Sequence, residues 1–522
     1  VPFNWNYTQG GGGRGGRGGG GGRGAPPQSA PSYQAGGGEP GYIAPDPLDP
    51  DVFYSGTNNG GYLDKYNRRN EQHREVNPYP WFYSGEPSSE IKERWQCTYP
   101  IVFSKLDPKL LFVSSQRLWK TRDGGQNWTA ISGDLTRHDP KTMGTSGGPI
   151  TGDMNGPEVY GVIFSVGPSK KDVNVIWTGS DDGLVHVTKD GGKSWTNVTP
   201  KGMPEFGRVS QIDASAFDAG TAYISVRRPL LDDKSPYLFK TADFGKSWTK
   251  IVNGIRADDW MHAIREDPTR KGLLYAAAQH GVYISYDDGA KWESLALNLP
   301  DVPVSDLIVQ DNELAIATHG RGFWILDNIG PLRQTGAAVD AADAWIYEPA
   351  AAYRTGPGAT FTYLLKKAAK QVTIDVLDSA GKLVKSFGPD TAPPAPAGRG
   401  GGRGAVPTPA PATTVGMNRV NWDLRYEGVT SFPGMILWGA STQGPVAPPG
   451  TYQVRLTVDG KSQTQKFKVK RNPMITDVSD ADLRAQFALA IKARDRASEA
   501  NQAVIDLRNV KAQVADRLKK SQ

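Results

Sequence analysis

Four times along the chain the pattern Ser/Thr-x-Asp-x-Gly-x-x-Trp returns, at 121–128, 188–195, 241–248 and 285–292. The side chains of Asp123, Asp190, Asp243 and Asp287 can accept N–H groups of their own turns, and the glycine two positions on takes positive φ at little cost. Trp128, Trp195, Trp248 and Trp292 each open an outgoing strand with a large apolar plate to set against a neighbouring unit. The motif is a hairpin clasp, and its recurrence dictates a repeat architecture. Successive clasps are separated by at least the roughly 40–45 residues that a four-stranded propeller blade needs, the excess being loop. Around them, 110–113, 175–178, 221–224 and 273–276 carry the apolar runs and alternations of half-buried strands.

The clasp resembles the Asp-box, or BNR repeat, of sialidases, of two-propeller xyloglucan-cleaving hydrolases and of sortilin-type receptor ectodomains. More closely, 41–47, 146–151, 179–187 and 317–327 resemble a group of bacterial exported proteins labelled glycosyl hydrolase or sortilin-like. The resemblance runs from about Gly41 to Arg333, and it implies a propeller fold without specifying an activity.

A chain of 522 residues can bury a large core and form more than one domain. Its 62 glycines, 39 prolines, 14 tryptophans and 20 tyrosines suit an all-β protein with many turns. The single cysteine, Cys97, excludes an internal disulfide framework, unlike sortilin receptors with their cysteine-rich module. Cys97 reads as buried filler on a strand. The formal charge of +6 does not describe a nucleic-acid binder. Arg14, Arg17, Arg23, Arg399 and Arg403 sit in glycine-rich runs without aromatic interleaving, and 492–520 adds a further basic excess. The propeller itself keeps no basic footprint. No apolar run is long enough to span a bilayer, and no signal peptide opens the sequence. Residues 1–7 begin as if within a strand, so the expectation is a fragment of a longer, extracytoplasmic (periplasmic or secreted) protein.

The expected order is a partial strand and Gly/Arg-rich insert at 1–40, an Asp-box propeller of six or seven blades at 41–331, a linker at 332–344, an immunoglobulin-like β-sandwich at 345–471 with a Pro/Gly-rich loop at 389–414, and a helix over 479–522 capped by Ser479. The sandwich resembles that of flagellar hook-capping proteins. A seventh blade would draw on the N-terminal strand; otherwise the ring is incomplete. The helix carries an alanine-rich stripe that reads as packing on a missing partner helix.

If strands run outward from the axis, the clasp joins the third strand to the fourth on one face, and the remaining loops emerge on the other. The clasp residues are then structural, and ligand chemistry belongs on the clasp-free face. There the second-to-third loops offer Asn58, Asn59, Gln116, Arg117, Asp181, Asp182, Arg227, Arg228, His280, His319 and Arg321, and the interblade loops offer Asp153, Glu158, Arg208, Asp259 and Trp260. A glycosidase requires two flanking carboxyl groups, for which Asp153 or Glu158 with Asp181 or Asp182 are the candidates; 181–183 also reads as a simple turn. Arg117, Arg208, Arg228 and Arg321 could hold a substrate carboxylate. His319 reads as an acid/base or a metal ligand, or as a loop hydrogen-bonding residue. Six histidines without ligand spacing give no transition-metal site, and no cofactor is expected. Two functions remain: an exported module that binds a glycan, peptide or protein on its axial face, and a glycoside hydrolase. In either, Asp182 and Arg321 are expected to contact ligand, and Asp123 is not.

Overall fold

A computed structural model of the protein describes residues 4–8, 41–56, 62–80, 85–148, 150, 153–389, 410–435 and 441–521. Most of the Gly/Arg-rich insert, Asn58, Asn59 and most of the 389–414 loop lie outside them. The chain divides into two compact units, one running from Trp5 to Asp327 and the other containing Asn328 onward.

The first unit is a β-propeller. Among the described residues six four-stranded antiparallel sheets follow one another, five of them with strands in sequence order. Their inner strands are Ile43–Pro45, Ile101–Phe103, Ile163–Pro168, Arg208–Ala214, Met261–Glu266 and Val304–Gln310. Inner strands of successive blades pack on one another around the axis. The cores lie between blades: Val175, Trp177 and Val185 of the third blade pack with Val209, Ile212 and Ile224 of the fourth. Tryptophan and β-branched residues suit that space, because each blade offers a pleated apolar face to both neighbours.

The clasps are interblade rivets. In the second blade Thr121 Oγ1 donates to Asp123 Oδ1 at 2.8 Å and accepts from Gly125 N at 3.1 Å, while Asn127 N donates to Asp123 Oδ1 at 3.0 Å. The Trp128 indole N–H then reaches back to Val76 O, at the exit of the first blade, at 2.8 Å. Trp195, Trp248 and Trp292 make the same bond to Ile131 O, Val198 O and Ile251 O. The clasp glycine sits on the same residue. At Gly245, with φ 78°, a Cβ would lie 2.6 Å from Val198 Cβ. Glycine is therefore required both for the backbone angle and for the close approach.

Among the described residues the N-terminal strand joins the sixth blade and not a seventh. Asn6–Thr8 pairs antiparallel with Phe323–Leu326 and supplies the outer strand of the sixth blade. Trp5, immediately before it, donates its indole N–H to Leu295 O at 3.0 Å, the same exit position in the fifth blade, and is buried. Trp5 thus makes the bond that a clasp tryptophan makes in other blades. Other expectations also shift. The first blade has strands at Val52–Gly56 and Leu63–Asn67, and its outer turn is held by Arg68 and Arg69 on Asp51 and Asp49 instead of a clasp. Cys97 is buried, but in an irregular segment and not on a strand.

In the second unit, Gly330–Gln334 and Ala337–Ala341 form single-turn helices. A three-stranded sheet (Ala344–Ile346, Ala359–Leu365, Gly416–Trp422) and a five-stranded one, including Val372–Leu377, Gly450–Val458 and Lys461–Lys470, form a sandwich. Phe361, Trp422, Val454 and Phe467 fill its core. The C-terminal helix, Asp480–Lys520, begins with Ser479 and Asp482 in a reciprocal capping box. Its first half packs on the unit's own sandwich and loops: the Phe487 ring lies tilted 4.7 Å from Tyr426, and Arg494 and Asn501 bond Glu427 O and Thr430 O. Among the described residues no helix is long and apolar enough to cross a membrane.

Candidate functional site

The two faces of the propeller are built differently. Clasp turns bond to the turns between first and second strands, as in Gly191 N to Asn174 O and Asp288 N to Gly272 O. The opposite face carries the second-to-third turns, which bond to the starts of the inner strands: Asp181 N to Val162 O, Gln279 N to Trp260 O and His319 N to Pro303 O. At those starts the register of blades three to six slips by one residue, at Phe164, Ser210, His262 and Ser305. A bulge leaves its extra residue out of the ladder and re-aims its side chain. The device recurs in four blades and marks the mouth of the axis.

Asp181 and Asp182 are buried beneath this mouth. Asp181 Oδ1 accepts from Gly161 N at 3.1 Å and Val162 N at 2.9 Å. Burial pushes its carboxyl up to about 7, against the nearby Arg208 guanidinium. Asp182 accepts from the Ser180 hydroxyl at 2.5 Å and from Arg137 N at 2.8 Å, while the Arg137 side chain donates to Asp182 O. Burial raises its carboxyl as well. Both aspartates tie an interblade loop to a turn; both oxygens of Asp182 are engaged, whereas at Asp181 the amides bond Oδ1.

Arg208 and Arg227 stand directly opposite each other in the fourth blade. Arg208 lies 4.7 Å above the Phe164 ring. Arg227 donates to His262 Nδ1 at 2.8 Å, which makes that nitrogen an acceptor and the ring neutral. Burial, reinforced by the Arg227 charge, holds His262 down at about 4. Burial and Arg208 together lower Arg227 to about 10. His319, exposed on the next blade, adds to the field at His262, and Trp260 is half-buried with its ring 6.5 Å from that imidazole. Four blades thus bring Phe164, Arg208, Arg227, Trp260, His262 and His319 to one mouth.

Other candidates serve local structure. Asp153 is exposed and takes part in the loop through Asn155 Nδ2, and Glu158 Oε2 caps Asn155 N at 2.8 Å. Arg117 pairs with buried Glu93 at 3.3 Å. Arg228 lies on the strand Ala222–Arg228 and faces Asp233 at 3.8 Å. Arg321 is exposed, with its carbonyl accepting the Trp324 indole N–H. Asp259 accepts from His280 N and the Tyr283 hydroxyl. Sequence reasoning did not find Phe164 or His262, because a bulge leaves no local signature, nor Arg137, whose role depends on a turn in another blade.

No family model matches the chain. A xyloglucanase from Paenibacillus sp. is 26% identical over 255 residues, covering 40% of this chain and 22% of that protein. The match thus spans about a fifth of the relative's length. Among solved structures, an ancestral GH74 enzyme is similar over 66% of this chain and 38% of its own, at 14% identity and TM-score 0.37. PorZ, a surface component of the Porphyromonas gingivalis type-IX secretion system, is similar over 83% and 51%, at 13% and 0.37. YCF48 from Cyanidioschyzon merolae is similar over 59% and 88%, at 13% and 0.34. At these scores the likenesses do not define the fold, which rests on the strand pairing.

Proposed function

We propose that this chain is an extracytoplasmic Asp-box propeller that binds a glycan or peptide ligand on its clasp-free axial face. The observation that carries the reading is an asymmetry of use. Clasp side chains are consumed in rivets between blades, whereas the opposite mouth gathers Arg208, Arg227, Trp260 and His319 with donors and ring faces that the fold does not consume. Rigid strands that present variable loop residues suit recognition. A glycan and peptide array probed with the purified chain, repeated with Arg208→Gln, tests it. Capture that the substitution weakens supports the mouth as the site; capture that survives it but fails in Asp123→Ala, with folding intact, places the site on the clasp face.

The second reading, a glycoside hydrolase, is favoured by the 26% identity to a xyloglucanase and by one titration. Asp181, raised to about 7, has the proton affinity of a general acid. Against it, a catalytic acid must reach the leaving oxygen, and Asp181 is buried, with Oδ1 held by the Gly161 and Val162 amides. Reducing-end release from xyloglucan, abolished in a folded Asp181→Asn variant, would establish hydrolysis; release that persists in that variant rules Asp181 out as the acid.

A further inference from the structure

We propose that Arg208 and Arg227 form a carboxylate-binding subsite and that the ligand of the axial face is an acidic polysaccharide, held through a uronic acid residue; this deepens the axial-face reading and rests on it. The argument starts from a local conflict. Like charges directly opposite on paired strands repel, and Arg208 and Arg227 are register partners. Elsewhere in this propeller arginines are given counter-charges: Arg94 on Asp134, Arg117 on Glu93 and Arg265 on Asp306. Among the described residues neither Arg208 nor Arg227 makes an ion pair. Asp181, whose carboxyl feels the Arg208 charge, turns its Oδ1 to two backbone amides, and burial raises it to about 7.

Both guanidinium groups are also pre-oriented. Arg208 is held over the Phe164 ring, a contact that consumes none of its N–H donors. Arg227 spends one N–H on neutral His262 and keeps the others. Two planar forks outside any ion pair, half-buried on the clasp-free face, match a carboxylate, which accepts paired N–H donors. The surroundings select a sugar over a peptide. Ser210 and His262 are committed to Ser225, Arg227 and Gln279, but the Gln279 amide N–H groups can donate to a sugar hydroxyl, and half-buried Trp260 offers a ring face. A peptide adding to a strand edge needs free backbone amides. On the neighbouring inner strands these are taken by side chains of the preceding blade: Ile212 N by Ser165, Ile264 N by Gln211 and Glu266 N by Asp213.

The test is calorimetric titration of the whole chain with oligomers of galacturonate, glucuronate, mannuronate and guluronate, each beside its carboxyl-reduced form. At least one uronate oligomer is expected to bind, and its affinity to fall about tenfold or more on carboxyl reduction, in Arg208→Gln and in Arg227→Gln. The ligand-free melting temperature of Arg227→Gln should equal or exceed that of the parent, since the substitution relieves repulsion; a merely structural arginine would lower it. The proposal is overturned if no uronate oligomer binds, if the reduced oligomer binds equally well, or if only sulfated glycans or peptides bind. Binding of neutral xyloglucan oligomers or peptides at this face overturns this proposal while leaving the axial-face reading intact; no ligand at the face overturns both.

Discussion

The two faces of the propeller use the same residue type to opposite electrostatic ends. On the clasp face Asp123 and Asp243 sit in solvent and accept backbone N–H and side-chain hydrogen bonds, which hold their carboxyls down at about 2. On the opposite face Asp181 also accepts two backbone N–H groups, yet burial raises it to about 7. The number of hydrogen bonds does not decide the charge; access to water does. The clasp aspartates are charged locks whose lone pairs are committed within one turn. The axial mouth lies over carboxyls that are reluctant to ionise, so its arginines lack full compensation. One face closes the ring and the other is left with charge to offer.

The largest expected effect concerns closure. Trp5→Ala removes a buried plate and the indole bond to Leu295 O, and should cost about 3–5 kcal/mol in urea unfolding. A loss below about 1 kcal/mol would show that the terminal strand adds little to the ring. Next comes the clasp glycine. Gly245→Ala meets both positive φ and Val198, and should cost about 1–3 kcal/mol more than Gly202→Ala, whose φ of 87° is matched by open space around it. Equal losses would mean that backbone angle alone, and not the approach to the preceding blade, requires the glycine.

Smaller effects follow from pH. Because the folded Asp181 carboxyl is raised above its ordinary 3.8, its contribution is fully present below about pH 4 and is lost as pH rises through about 7. Asp181→Asn keeps an oxygen to accept the two amides and should flatten the melting-temperature profile in that window. An unchanged slope would assign the loss to other groups. Asp123 has the reverse sign: its folded carboxyl is lowered, so its stabilisation is present above about pH 4 and lost as pH falls through about 2. In Asp123→Asn the acid-side loss should shrink, and ligand affinity at neutral pH should not change. An affinity change there would break the division of labour between the faces.

The repeated clasp, read alone, determined the propeller, the separation of 111–114 from 176–180 into different blades, and the role of Trp128, Trp195, Trp248 and Trp292 as contacts to a neighbouring unit. Period and capping likewise determined the strands at Val372–Leu377 and Gly450–Val458 and the helix start at Ser479. These are local or repetitive signals, carried by turn geometry and alternation within a few residues. Tertiary structure decided the rest. That Trp5 completes a sixth blade depends on residues nearly three hundred positions away in sequence. That Phe164, Arg208, Arg227 and His262 meet at one mouth depends on bulges and on the order of blades around an axis. That Asp181 and Asp182 are buried depends on interblade loops packing against a turn. Burial is a property of the assembled ring, and no window of sequence encodes how much water reaches a carboxylate.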